Sequence, residues 1–316
     1  MTSLITNKSA MNALQALRNI NNNLSTTQDR ISSGLKVSSG KDNAAYFQIS
    51  ETMKADSAVN SAINDGLTLT KNSVATARLG AETIQSLGQE FLDKVSFAQG
   101  AKGGYGEIEN DLKEIVKRME TTLSQSTFNG DDLVAAGATA GTTAGAVDAA
   151  TGVLTATTAS QTTEATPQDF ARDLDVVAGV SRAGGTFAAK TITIGAVDVK
   201  RLVTDFSAMA TDFKQSAELD TGATYLAGLM ASAEGVLSKT TDAATKLGQY
   251  EKSIESQQEF LTKLSDNIDS GVGSMIDANM EEEAARLQAL QTQQQLATQA
   301  LSIANSAPQG VLRLFQ

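Results

Sequence analysis

The sequence predicts a mainly α protein: a long antiparallel helical coiled-coil rod formed by both chain ends, with a small α/β insertion domain in the middle. Three observations predict it. Apolar residues recur at helical spacing over long stretches at both ends of the 316-residue chain, the pattern of helices that bury one face. The middle differs, being poor in charge and rich in Ala, Thr and Gly. Aromatic residues make up only 4% of the chain, with no Trp, thin filling for a thick globular core because aromatics normally carry much of the buried area.

Composition also removes functions. Asp and Glu outnumber Lys and Arg, 36 against 25, for a net charge of −11; an acidic chain lacks the electrostatic footprint of a nucleic-acid binder, so no nucleic-acid partner is expected. There is no Cys and no His, which removes thiolate nucleophiles, His-based triads and imidazole or thiolate metal sites. An enzyme built from this chain would have to use carboxylates, Lys, Tyr or Ser. No catalytic residue, metal or cofactor is expected. Residues Met1–Asn7 carry no basic segment followed by an apolar one, so no cleaved secretory signal is expected. No run of about 18 apolar residues occurs, so no membrane insertion is expected.

The first helical pattern runs Leu14, Leu17, Ile20, Leu24, Ile31 and Leu35, the three- and four-residue steps of one face. Leu17, Leu24 and Ile31 are seven apart, while Asn21 and Gln28 stand where a strong coiled coil would place Leu. The cluster Ser38-Ser39-Gly40-Lys41-Asp42-Asn43 stops this helix and caps the next. Two heptad rows follow, Ile63, Thr70, Ala77, Ile84, Phe91 and Leu67, Val74, Ala81, Gly88, Val95. A single helix over 44–99 would be roughly 84 Å long, hence the expectation of a rod. The glycine-rich stretch 100–106 breaks the helix without matching a phosphate-binding motif. Ile108, Leu112, Ile115, Met119 and Leu123 then resume it as far as Phe128-Asn129-Gly130, and the two helices are expected to fold back antiparallel.

Residues 133–166 hold two charges, Asp148 and Glu164, and no aromatic, a composition of exposed loops and short strands. Thr191-Ile192-Thr193-Ile194 alternates like a strand and Arg201 to Phe213 reads as a short helix, so 131–230 is expected to be a loosely specified α/β insertion. The clearest heptads come next: Leu247, Ile254, Leu261 and Ile268, accompanied by Tyr250, Gln257 and Leu264. Gly271-Val272-Gly273-Ser274 is expected to punctuate. A last helix runs Ile276, Met280, Ala284, Leu287, Leu290, Ala297, Leu301, Ala304, with Pro308 ending it. The segments are therefore 1–43, 44–130, 131–230, 231–274 and 275–316, with 1–43 expected to pair with 275–316 and 44–130 with 231–274.

The two ends share an unusual surface. Between Leu287 and Leu312 no residue is charged, and Gln288, Gln291, Gln293, Gln294, Gln295 and Gln299 supply the polarity; from Ser9 to Gln28 the only charge is Arg18, among Asn19, Asn21, Asn22 and Asn23. A solvated helix face normally carries Lys and Glu. Short amide-rich helices are marginal alone, so both ends are expected to order only on association. Their opposite net charges, positive over 1–40 and negative over 275–316, suit mutual docking. Glu281-Glu282-Glu283 reads as a charge cluster at a helix start.

Several motifs resemble bacterial flagellin, the subunit of the flagellar filament. They are Leu24-Ser25, Arg30-Ile31-Ser32-Ser33-Gly34-Leu35-Lys36-Val37 and Ser39-Gly40-Lys41-Asp42-Asn43-Ala44-Ala45, then Asn64-Asp65-Gly66, Ser126-Thr127-Phe128-Asn129-Gly130, and Ala304 to Leu312. The resemblance covers 1–130 and 231–316. It implies a structural subunit that self-assembles into the filament used for swimming, alone or mixed with other flagellins, with its terminal helices in an inner tube, its long helices in an outer tube and the insertion outside. By this resemblance Leu14, Leu17, Leu24, Ile31, Leu35, Ile276, Met280, Leu287, Leu290 and Leu301 pack subunits. Ile63, Ile84, Phe91, Leu247, Ile254, Leu261 and Ile268 form the outer-tube coiled coil. It further implies secretion through the flagellar type III export apparatus to the extracellular filament, with an export chaperone, junction proteins and a cap protein as partners. Ser86 to Asp93 lacks the Arg through which some flagellins are read by a Toll-like receptor, so weak recognition is expected. The ending Arg313-Leu314-Phe315-Gln316 suggests an alphaproteobacterial type.

Two alternatives stay open at this stage. A hook–filament junction protein would resemble flagellin at both ends. A carboxylate glycosidase using Asp169, Asp173 or Asp175 would need two positioned carboxylates in an insertion nearly free of aromatics.

Overall fold

A computed structural model describes residues 7–101, 103–128, 130, 132–134, 142–143, 145–155, 158–159, 174–181 and 188–314, with side chains for all of these except 142–143, 158–159 and 307–314. The fold is mainly α. In chain order the elements are α1 (Lys8–Ser33), α2 (Ala44–Gly100), α3 (Tyr105–Gln125), β1 (Thr142–Thr143), β2 (Ala146–Val147), β3 (Leu154–Thr155), β4 (Thr158–Ala159), β5 (Leu174–Ser181), β6 (Ala188–Ile194), α4 (Val199–Ala210), α5 (Phe213–Ala217), α6 (Gly222–Ile276) and α7 (Met280–Leu314). The chain divides into two compact units, one of residues 1–58 and 264–316, the other of 59–263.

In the first unit α1 packs against α7. Asn7 caps α1, its Oδ1 accepting the Ala10 amide at 3.0 Å. Gly34 ends the helix at φ 72° with its N–H on the Arg30 carbonyl, the left-handed cap that glycine adopts without steric cost. Next, the Asp42 carboxylate accepts the amides and hydroxyls of Ser38 and Ser39 at 3.0–3.2 Å. These bonds, the Ser38 amide foremost, hold its carboxyl below the usual range. Asn43 accepts from the Ala45 and Tyr46 amides and so starts α2, as the capping cluster foretold. The connector after α1 meets the connector before α7 in an isolated antiparallel bridge between Leu35 and Asp277. The Ile276 carbonyl accepts the Lys36 and Val37 amides, and the Ala278 amide donates to Gly34. Below it lies a small core of Val37, Val272 and Ile276, flanked by Leu35, Phe47, Met53, Ile268 and Met275.

That core explains the first correction. Gly271 to Ser274 do not punctuate: α6 runs through them to Ile276. Two helical glycines cost about 1 kcal/mol each, whereas burying Val272 and Ile276, 5% and 3% exposed, returns roughly 1.5–3 kcal/mol apiece. Pro308 does not end α7 either; the helix continues to Leu314, although an interior proline removes one backbone donor and crowds the preceding turn.

The second unit has one core. α2 contributes Leu67, Val74, Ile84, Phe91 and Val95, α3 contributes Ile108, Leu112, Ile115 and Met119, and α6 contributes Tyr225, Leu229, Leu247, Ile254 and Leu261. α2 and α6 run antiparallel, tied by Arg78 to Glu251 at 2.7 Å, Lys71 to Glu255 at 2.9 Å and Gln258 to Thr68 at 2.8 Å. Lys94 to Asp111 and Arg118 to Glu90 link α2 and α3.

The middle of the chain carries short strands, as expected of 131–230, together with helices that join the main core. α6 begins at Gly222, before residue 231, and α4 and α5 belong to the main core instead of a loosely specified appendage. Phe206 and Phe213 are fully buried; Phe206 stacks edge-on against Phe91 at 5.1 Å, and Phe213 sits between Tyr105 and Tyr225 at 6.5 and 6.2 Å. Burial pushes the Tyr225 phenol up to about 12. The strands form antiparallel pairs, β1 with β4, β2 with β3, and β5 with β6, the last interrupted by a bulge between Val177 and Gly179. Gln257 on α6 donates to the Ala178 carbonyl at 2.7 Å and holds the β5–β6 ribbon. The turn before β3 is set by Asp148, which accepts from the Ala150 and Thr151 amides, and lies against α6 where Gly228 meets the Thr151 carbonyl.

Candidate assembly surface

The α1–α7 pair is held by an unusual seam. Besides Arg30, half-buried or buried positions in α1 are Ala10, Ala13, Leu17, Ile20, Leu24, Thr27 and Ile31; those in α7 are Glu283, Leu287, Leu290, Gln294, Ala297, Leu301 and Ala304. Both sets step alternately by three and four residues, the signature of an a/d seam. Of the expected packing residues, the seam takes Leu17, Leu24, Ile31, Leu287, Leu290 and Leu301. Leu35 and Ile276 lie instead in the small connector core. Leu14 and Met280 are 39% and 45% exposed and belong to neither.

The row that accompanies Leu17, Leu24 and Ile31 is therefore Ala13, Ile20 and Thr27, four residues earlier in each turn pair, not the Leu14–Asn21–Gln28–Leu35 row. This removes the weakness read into Asn21 and Gln28: they face outward, and Asn21 accepts from Gln294 Nε2 at 2.8 Å. At the far end Asn7 Nδ2 donates to the Ala304 carbonyl at 2.7 Å. Sequence reasoning placed Ala297 and Ala304 on the α7 row but missed Ala10, Ala13 and Thr27 on α1, and Glu283, because alanine and threonine carry no strong apolar signal, yet their spacing alone would have extended the row.

Glu281 and Glu282 start α7, with Asn279 Oδ1 accepting their amides at 3.1 and 3.4 Å. Glu283 does something else. Its side chain is 7% exposed and its Oε1 meets Arg30 Nη1 at 3.2 Å and Arg286 Nη1 at 3.3 Å.

The pair buries little. α1 has one fully buried residue, Thr27. Met11, Leu14, Leu296 and Ile303 stay 63%, 39%, 59% and 69% exposed, on helices whose faces carry amides where charges would keep copies apart.

The long-helix residues fall in two places. Ile84, Phe91, Leu247, Ile254 and Leu261 are buried in the main core and Ile63 packs against it, whereas Ile268 packs on the connector core. Phe91 meets an α4 ring as well as the helical row. Leu69, Leu79, Phe97 and Phe260 remain at least half exposed on α2 and α6.

Among the described residues no group of three or more acidic side chains is placed to hold a metal ion. Asp175 accepts from the Thr193 hydroxyl across the β5–β6 ribbon at 2.6 Å; Asp169 and Asp173 lie outside the described residues. No described helix is long and apolar enough to cross a membrane.

Long paired helices and a terminal pair that is rich in amides and leaves apolar side chains exposed define a mainly helical protein whose ends offer unburied apolar surface. Residues 4–139 match the bacterial flagellin N-terminal helical region and residues 230–315 the bacterial flagellin C-terminal helical region. A flagellin of Brucella melitensis biotype 1 is 36% identical over 319 aligned positions, with all of both chains covered. Flagellin C and flagellin A of Rhizobium meliloti (strain 1021) are 34% and 32% identical, again over the whole of both chains. The chain belongs to the bacterial flagellin family, and these relatives come from alphaproteobacteria.

Proposed function

We propose that this chain is the structural subunit of an extracellular bacterial flagellar filament used for swimming, polymerising with itself and without catalytic activity of its own. The observation that carries the reading is the terminal pair: a half-buried seam with Met11, Leu14, Leu296 and Ile303 left exposed. Such a pair gains little from folding alone, because helix nucleation is costly and most helical stability comes from packing. Packing against neighbouring copies supplies the missing burial, so α1 and α7 order as the polymer forms. Nothing favours a junction protein over a filament subunit. Leu14 and Met280 make subunit contacts in this reading by virtue of their exposure, while Leu17, Leu24, Ile31, Leu287, Leu290 and Leu301 act within the pair. Residues 1–43 with 275–316 form the inner layer, and 44–130 with 231–274 the outer.

Export by the flagellar type III route, with chaperone, junction and cap partners, completes the proposal on family grounds. Recognition by a Toll-like receptor is weak in this reading: residues 86–93 carry no Arg, and the neighbouring Arg118 is engaged by Glu90 at 3.1 Å. A receptor reporter assay with purified monomer is expected to respond far below a flagellin that carries the Arg; an equal response overturns this point.

Electron microscopy tests the function. Full-length protein seeded with short fragments or precipitating salt is expected to grow long uniform filaments, and a chain lacking residues 1–40 and 275–316 to grow none. Full-length protein that stays monomeric under both conditions contradicts the proposal.

A further inference from the structure

Among the described residues, one buried carboxylate on the α1–α7 seam makes an ion pair across it. Glu283, 7% exposed at its side chain, lies on Arg30, 27% exposed, at 3.2 Å. Its other oxygen is buried and accepts no hydrogen bond from the described groups. Everything else on the seam is Ala, Leu, Ile, Thr or Gln.

Such a seam specifies its register poorly. Leu17, Leu24 and Ile31 repeat every seven residues, so a one-heptad slip returns apolar side chains to apolar neighbours. The amide contacts are also replaceable: Asn21 pairs with Gln294 at 2.8 Å, but Asn19, Asn22 and Asn23 stand beside it, and Gln288, Gln291, Gln293 and Gln295 stand near its partner. The bridge at Leu35 and Asp277 and the Val37–Val272–Ile276 core beneath it anchor the connectors at one end of the pair but do not read the side chains along the seam. The charge is different. The observed pairs set residue 30 level with 283, 21 with 294 and 7 with 304. A slip of one heptad sets Glu283 level with Asn23 or Val37, neither a cation, and takes from the buried carboxylate its partner on the facing helix, leaving it only Arg286 of its own helix at 3.3 Å, a larger loss than a displaced amide.

We infer that Arg30 and Glu283 are the register-determining residues of the terminal helix pair, selecting the one alignment of α1 on α7 that the growing polymer accepts. This rests on the assembly reading above. Arg286, which also reaches Glu283 but pairs with exposed Glu282 at 3.1 Å, plays no part in the selection, because it rides on the same helix as Glu283 and moves with it in any slip.

The native chain contains no cysteine, so introduced thiols report alignment cleanly. Chains carrying Leu24→Cys with Leu290→Cys report the observed register; Leu24→Cys with Ala297→Cys reports a one-heptad slip. Each is diluted into excess unmodified chain, polymerised, and treated with a short bis-maleimide. The diluting chain lacks thiols, so every crosslink is within one chain, and a weakly assembling variant is still carried into filaments. With Arg30 and Glu283 intact, the first reporter is expected to crosslink on the order of tenfold or more over the second. With Arg30→Met and Glu283→Leu together, which replace the ion pair by apolar volume, the two are expected to become comparable. Arg286→Ala is expected to leave the native ratio unchanged. A native ratio in the Arg30→Met/Glu283→Leu chain, or its collapse in Arg286→Ala, overturns the inference. Failure of the unmodified chain to polymerise overturns the assembly reading instead.

Discussion

Phe206→Ala is expected to destabilise the free protein by about 3–5 kcal/mol, the cost of emptying a fully packed aromatic site. The ring is 0% exposed, lies edge-on to Phe91 at 5.1 Å, and fills the space left at Gly88, where an added Cβ would stand 3.1 Å from Phe206 Cζ. α2 is thus cut away at one turn to admit an α4 side chain, which makes α4 part of the helical core. Urea unfolding of the monomer followed by circular dichroism, with native and variant at equal concentration, measures the loss. A change below about 1 kcal/mol, typical of a surface substitution, would mean that α4 is an appendage after all.

Two glycines of α6 are expected to respond to alanine with opposite signs. Gly235 is exposed and a Cβ there meets nothing within 4 Å, so Gly235→Ala gains the propensity difference, up to about 1 kcal/mol. At Gly228 a Cβ would run into the Thr151 carbonyl oxygen, with the Gly152 carbonyl carbon 3.2 Å away. That neighbour is backbone, pinned by the Asp148 turn, and cannot swing aside like a side chain. Overpacking of this kind costs about 1–3 kcal/mol, enough to outweigh the propensity gain, so Gly228→Ala is expected to lower the urea midpoint while Gly235→Ala raises it. Equal gains at both sites would show that residues 146–155 do not lie against α6.

These contacts also mark what the sequence could and could not reveal. Leu247, Ile254 and Leu261 are bulky and seven apart, and the helix they announce buries all three to 2% exposure or less. Asn43 was legible as a cap because amide side chains before a helical run have one local use. Gly271 and Gly273 misled because local propensity was read without the burial of Val272 and Ile276 that outweighs it. The role of Phe206 could not be read from its own neighbourhood: its partner Phe91 lies 115 positions away, and neither periodicity nor composition joins them. On the terminal pair the large residues Leu17, Leu24 and Ile31 were visible, but Ala13 and Thr27 were not. Leu14 was therefore assigned to a seam it does not enter. Glu283 looked like one of three interchangeable acids at a helix start; only the position of Arg30 separates it from the other two.

The claim that burial by neighbouring copies, and not internal packing, orders α1 and α7 is tested most directly by amide hydrogen exchange of the same chain as dilute monomer and as filament. Exchange protection follows the free energy of local opening. In the monomer, residues 8–33 and 280–304 are expected to exchange fast while 247–261 exchange slowly; in the filament all three are expected to be slow. Terminal helices as protected in the monomer as residues 247–261 would contradict the account.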